Sequence, residues 1–96
     1  MKAIRVFYYK DKRPDGLVIE AVIWQLPAPT PARPTGIKYR LYCGRHGRCV
    51  VRYDNESGKG DHIHVSNQEL PYHFAGVGKL VQDFFADVTR LTGVTP

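Results

Sequence analysis

Cysteine is scarce in this 96-residue chain, which has only Cys43 and Cys49. Two thiols do not make a disulfide framework, and their C-x-x-x-x-x-C spacing is not that of a zinc knuckle, so both read as reduced. Long apolar runs are also missing. No stretch reaches membrane-spanning length, and Met1-Lys2-Ala3-Ile4-Arg5 meets charges before an apolar leader can build. The expectation is a cytoplasmic protein without a membrane partner. Acidic residues are outnumbered: 9 Asp and Glu stand against 14 Lys and Arg, for a net charge of +5 and a pI near 9.4. A small basic domain attracts polyanions, whether nucleic acid or an acidic protein surface.

Apolar residues make up 43% of the chain, enough for a packed core, and this excludes global disorder. The length suits one domain spanning residues 1–96. Ile4 to Tyr9 reads as a strand, followed by a turn at Pro14-Asp15-Gly16. Leu17 to Leu26 is a long strand with Leu17, Ile19, Ala21 and Ile23 on one face and Glu20, Val22, Trp24 and Leu26 on the other. Apolar residues on both faces suit a central position. The proline-rich stretch from Pro27 to Gly36 is a surface connection.

Ile37 to Cys43 alternates, with Tyr39 and Leu41 inward and Lys38, Arg40 and Tyr42 outward. Arg48 to Asp54 alternates after a hairpin at Gly44-Arg45-His46-Gly47. Parity constrains their register: a three- or five-residue loop keeps the apolar sets together, while a two- or four-residue loop scrambles them. In the five-residue case Cys49 faces Cys43 and Arg52 faces Arg40.

Glu56 to Gly60 is a glycine-rich turn. Asp61 to Val65 is a short strand, and Ser66 to Pro71 a loop. Leu80, Val81, Phe84, Phe85, Val88 and Leu91 recur at helical spacing, predicting a helix from about Gly76 to Leu91 that Gly93 ends. The expected architecture is α+β: an antiparallel sheet of four to five strands with one C-terminal amphipathic helix packed on it.

Chemistry concentrates in Tyr53 to His64, Y-D-N-E-S-G-K-G-D-H-I-H, and in Pro71-Tyr72-His73 just beyond. Metal-independent RNA cleavage needs a base for the 2′-hydroxyl, an acid for the leaving oxygen and cations for the developing charge. His62 and His64 share a strand face and titrate near neutral pH. Tyr72 is a further acid, Asp54 or Asp61 would orient a histidine, and Lys59, Lys38, Arg40 and Arg52 would hold phosphates. A metal reading of Asp61, His62 and His64 is set against the many nearby cations, and neither a metal nor a cofactor is expected. Gly58-Lys59-Gly60 lacks the phosphate-loop spacing and precedes a strand rather than a helix. The plain structural alternative is a turn held by Asx-type bonds, followed by ordinary strand histidines.

The chain resembles the TumE family of toxin–antitoxin proteins along nearly its whole length. The resemblance rests on Pro14-Asp15-Gly16 with Val22-Ile23-Trp24-Gln25-Leu26-Pro27, Lys38-Tyr39-Arg40-Leu41, Val51-Arg52-Tyr53-Asp54-Asn55, Gly58-Lys59-Gly60-Asp61-His62 with His64, Pro71-Tyr72 with Phe74, and Leu80 to Val88. The most specific element is Y-D-N-x-x-G-K-G-D-H-x-H. It implies the toxin of a type II module, paired with a cognate antitoxin that is commonly a DNA-binding protein. Ribonuclease action is the expectation by analogy with other small basic toxins. Where the family pattern usually has a basic residue between the two histidines, this chain has Ile63.

Overall fold

The computed structural model describes residues 2–56 and 58–96, so Ser57 of the expected glycine-rich turn lies outside the described residues, as does Met1. The chain runs β1 (Ile4–Lys12), β2 (Leu17–Gln25), β3 (Ile37–Arg45), β4 (Arg48–Asp54), β5 (His62–Val65), β6 (Gln68–Pro71) and α1 (Val77–Thr92). The strands form one antiparallel meander in the order β1-β2-β3-β4-β5-β6. The α+β architecture with a C-terminal helix is as expected, but the sheet has six strands rather than four or five.

The added strand is β6, in the stretch read as a loop. Ser66 and Asn67 both take positive φ (51° and 62°), the conformation of a two-residue hairpin turn. β6 then runs along the edge with every residue exposed, so no buried face marks it by alternation.

The hairpin between β3 and β4 satisfies parity in an unexpected way. Arg45 pairs with Arg48 around a two-residue turn, His46-Gly47, with φ of 52° and 77°. Such a turn alone would put Arg40 on the face of Val51. A bulge repairs this: Gly44 pairs with Cys49 but Cys43 pairs with Val51, so Val50 is the extra residue. Arg40 therefore lies opposite Asp54, and Arg52 opposite Tyr42. The pairing of Cys49 with Cys43 and of Arg52 with Arg40 does not occur. The observed register keeps Arg52 away from Arg40, although Arg45 and Arg48 face each other beside the turn.

The helix covers one face of the sheet. Ile19, Ile23, Leu41 and Val51 are fully buried there beneath Leu80, Phe84 and Val88 of α1. Phe84 meets Tyr53 edge-on at 5.7 Å, and Phe85 reaches Tyr9 at 5.3 Å, so the helix spans from β4 toward β1. Gly76, at φ 108°, starts the helix without a side-chain cap. Gly93, at φ 78°, ends it, and its N–H donates to the Thr89 carbonyl at 2.8 Å.

Candidate functional site

Among the described residues no helix packs on the opposite face of the sheet, and the strand registers determine which side chains it presents. One row across it runs Tyr8, Val22, Arg40, Asp54, His62, Pro71; the next runs Lys10, Glu20, Tyr42, Arg52, His64, Glu69. Period-two alternation puts His62 and His64 on one side of β5, and pairing sets them directly against Asp54 and Arg52.

Asp54 is the hub. The residue is 7% exposed, with Arg52 Nε 3.0 Å from Oδ2 and His62 Nε2 2.8 Å from Oδ1. His62 is 6% exposed, and its Nδ1 is 3.1 Å from the Gly60 carbonyl. Both ring nitrogens thus face acceptors, which holds the imidazole in place. His64 is only partly buried and opens onto a second cleft of about 430 Å³ with Arg48, Cys49, Ser66 and Asn67. Cys49 does not add a ready nucleophile there, because burial raises its thiol pKa.

The ion-pair contacts at Asp54 are close but not aligned as hydrogen bonds. Arg52 Nε, Asp54 Oδ1 and His64 Nδ1 are buried without a hydrogen-bonding partner, and so is Arg33 Nε. Arg33 lies with Lys38, Arg40 and Asp54 around a cleft of about 450 Å³. Of the five such atoms among the described residues, four gather at this face and its cleft. Arg52 Nε and Asp54 Oδ1 keep ion-pair neighbours at 3.0 and 2.8 Å, so among the described residues Arg33 Nε and His64 Nδ1 are the two here in neither a hydrogen bond nor an ion pair. The neighbouring cations are accessible: Lys38 and Arg40 are exposed, and the Arg40 guanidinium stands 5.4 Å from the centre of the Tyr42 ring.

Two residues singled out from the sequence point elsewhere. Asp61 turns toward the helix side, where Tyr39 Oη donates to its Oδ2 at 2.7 Å. Tyr72 also lies on that side, donating to Asp83 Oδ2 of α1 at 2.8 Å and meeting Tyr53 edge-on at 5.0 Å. Tyr53 Oη donates to Asp87 Oδ2 at 2.5 Å. Burial first, and then the carboxylate acceptors, raise the pKa of all three hydroxyls well above the usual tyrosine range. The structure therefore brings together His62, His64, Asp54, Arg40, Arg52 and Lys38, and separates Tyr72 and Asp61 from them. Lys59 sits at the rim, 3.5 Å from Glu69, with both side chains about half exposed.

Among the described residues, no three His, Cys, Asp or Glu side chains gather as metal ligands would. Sequence reading placed Asn55 only in a turn. It is buried, accepts from the Tyr39 N–H at 3.0 Å and donates to the Ile37 carbonyl at 2.7 Å, clamping β3 beside the site. No local signal distinguishes this long-range clamp from a turn asparagine. Arg33 was likewise hidden in the proline-rich connection.

Residues 3–92 match the family model described as Toxin TumE, a span that holds every strand and the helix. The chain belongs to the TumE toxin family. Membership of TumE gives the chain a toxin's role and implies an antitoxin partner in general. No curated protein and no solved structure matches it. Among the described residues, no helix is long and apolar enough to cross a membrane.

Proposed function

We propose that this TumE-family chain is the toxin of a type II module, folded as one domain, and that it acts on RNA through the open face of the sheet. The observation that carries the reading is the gathering of Arg33, Lys38 and Arg40 around one cleft beside the Asp54–His62 pair, with His64 and its buried, unpartnered Nδ1 one row away on the same face. A phosphodiester backbone supplies acceptors for Arg33, Lys38, Arg40 and Arg52. His64 is the proton-transfer group, because it is the histidine of the cluster with access to a cleft. His62 is too buried to reach a substrate, and with Asp54 it acts as a positioning pair that holds β4 to β5. Tyr72 and Asp61 then serve the fold.

The burial of His62 also favours a second reading. A cleavage mechanism with two histidines needs both at the substrate, and here one is enclosed. A non-catalytic basic face docking RNA or an acidic antitoxin would need neither.

Growth of cells expressing the chain separates the two readings. Catalysis predicts that His64→Ala abolishes toxicity at unchanged thermal stability and antitoxin binding. If His64→Ala stays fully toxic while Arg40→Ala or Arg52→Ala is harmless to the host, the binding reading stands and the catalytic one fails.

A further inference from the structure

The open face carries aromatic rings as well as cations. Trp24 lies between Arg5 and Lys38 in the register of β1, β2 and β3, and it is partly exposed. Tyr8, one row away, is 49% exposed, and the Arg5 guanidinium stands 4.6 Å from its ring centre. Tyr42 shares the row of Arg52 and His64. Its ring lies over Gly44, since a Cβ at that position would fall 2.0 Å from the tyrosine Oη. Tyr8 and Tyr42 are therefore laid beside guanidinium groups, and Trp24 stands outside the buried core.

The carboxylates of the strand rows are already engaged: Glu20 with Lys10 at 3.3 Å, Asp54 with Arg52 and His62, and Glu69 with Lys59. The exposed Glu56 lines the cleft of Arg33, Lys38 and Arg40 as its one carboxylate outside these pairs among the described residues. Among the described residues, Arg5, Lys38 and Arg40 are in no ion pair. The face thus offers free positive charge beside aromatic planes.

We infer that this face takes unpaired RNA, with a base stacked on Trp24 and the backbone crossing Lys38 and Arg40 toward His64. The inference rests on the RNA reading above and names its substrate class. Two physical reasons favour a single strand over a duplex. Bases stack on protein rings only when their own faces are free. A duplex would meet the cations but leave the aromatic row unused. From Trp24 to His64 is three strands across and four residues along, roughly 20 Å at ordinary strand spacings, which leaves room for a short run of nucleotides.

Trp24 is the only tryptophan in the chain, so its fluorescence reports this face alone. The experiment titrates the His64→Ala protein, which leaves the strand uncut, with an unstructured RNA dodecamer and with the same dodecamer fully base-paired. Its readouts are tryptophan emission and, independently, filter retention of the RNA, which needs no tryptophan and so also serves the Trp24 variants. The inference predicts quenching by the unpaired strand, tighter binding of it than of the duplex, and roughly tenfold weaker binding of it after Trp24→Ala. Trp24→Phe keeps a ring and retains most of the affinity, which separates stacking from damage to the fold. Equal binding of the two RNAs with no quenching, or unpaired RNA that binds as tightly to Trp24→Ala, would overturn the inference and leave the RNA reading standing. Binding of neither RNA would remove both.

Discussion

Asp54 is the residue on which the open face depends. Its carboxylate neutralises Arg52 and faces His62 inside a nearly closed setting. Removing the carboxylate leaves the Arg52 charge unpartnered, which is costlier than the pair itself was favourable. Asp54→Ala should therefore lower stability by about 3 kcal/mol, read from urea denaturation midpoints. A loss as small as that of an exposed substitution would show that the carboxylate is not the hub. At this scale the sequence was partly legible. Alternation along β5 placed His62 and His64 on one face without any structure. Which residues they faced depended on register, and register depended on a bulge at Val50 that nothing in Arg48 to Asp54 announces. Asp61 and Tyr72 illustrate the limit from the other side. Both stand beside the histidines in sequence, but their partners Tyr39 and Asp83 are 22 and 11 residues away and pull them to the helix face.

Among the elements, α1 was the easiest to read and β6 the hardest. The helix declares itself through a stripe of apolar residues at helical spacing, and its end through Gly93. β6 has a single large apolar residue, Leu70, which is 44% exposed, and no inward face to set a pattern. The helix start looks poorly capped, yet it resists improvement. Gly76 sits at φ 108°, a conformation side chains rarely adopt. Gly76→Ser should therefore destabilise by about 1 kcal/mol instead of gaining a cap, and thermal unfolding would show it. A raised melting temperature would contradict that reading.

The helix is further pinned by tyrosines, Tyr72 to Asp83 and Tyr53 to Asp87. Their raised folded-state pKa values favour the protonated hydroxyl. That contribution is complete below the unfolded tyrosine range, about 10, and is lost as pH climbs toward the folded values. The urea midpoint should fall between pH 9 and 11 in the wild type, and fall less in Tyr53→Phe, which has no proton to lose. Parallel declines would show that these hydroxyls do not couple to folding.

For the whole molecule, the net charge of +5 becomes informative only once it is placed. The composition suggests a polyanionic partner; one face of the sheet is sealed by α1, and the other holds Lys38 and Arg40, which are in no ion pair among the described residues. RNA affinity should fall with salt, and Arg40→Ala should flatten the log–log slope by roughly 0.7, the expected share of one phosphate contact on a single strand. An unchanged slope would take Arg40 off the path of the backbone. Membership of the TumE toxin family accords with such a surface, because a toxin must engage something in its host.

The most direct test is an RNA cleavage assay with the wild-type chain and His64→Ala, each with and without chelator, on unpaired RNAs of varied sequence. Histidine proton transfer on RNA predicts that the wild type cuts, that chelator leaves the rate unchanged, and that His64→Ala loses at least a hundredfold, the order expected for a general acid or base. No cleavage of any RNA by the wild type, or undiminished cleavage by His64→Ala, would contradict it.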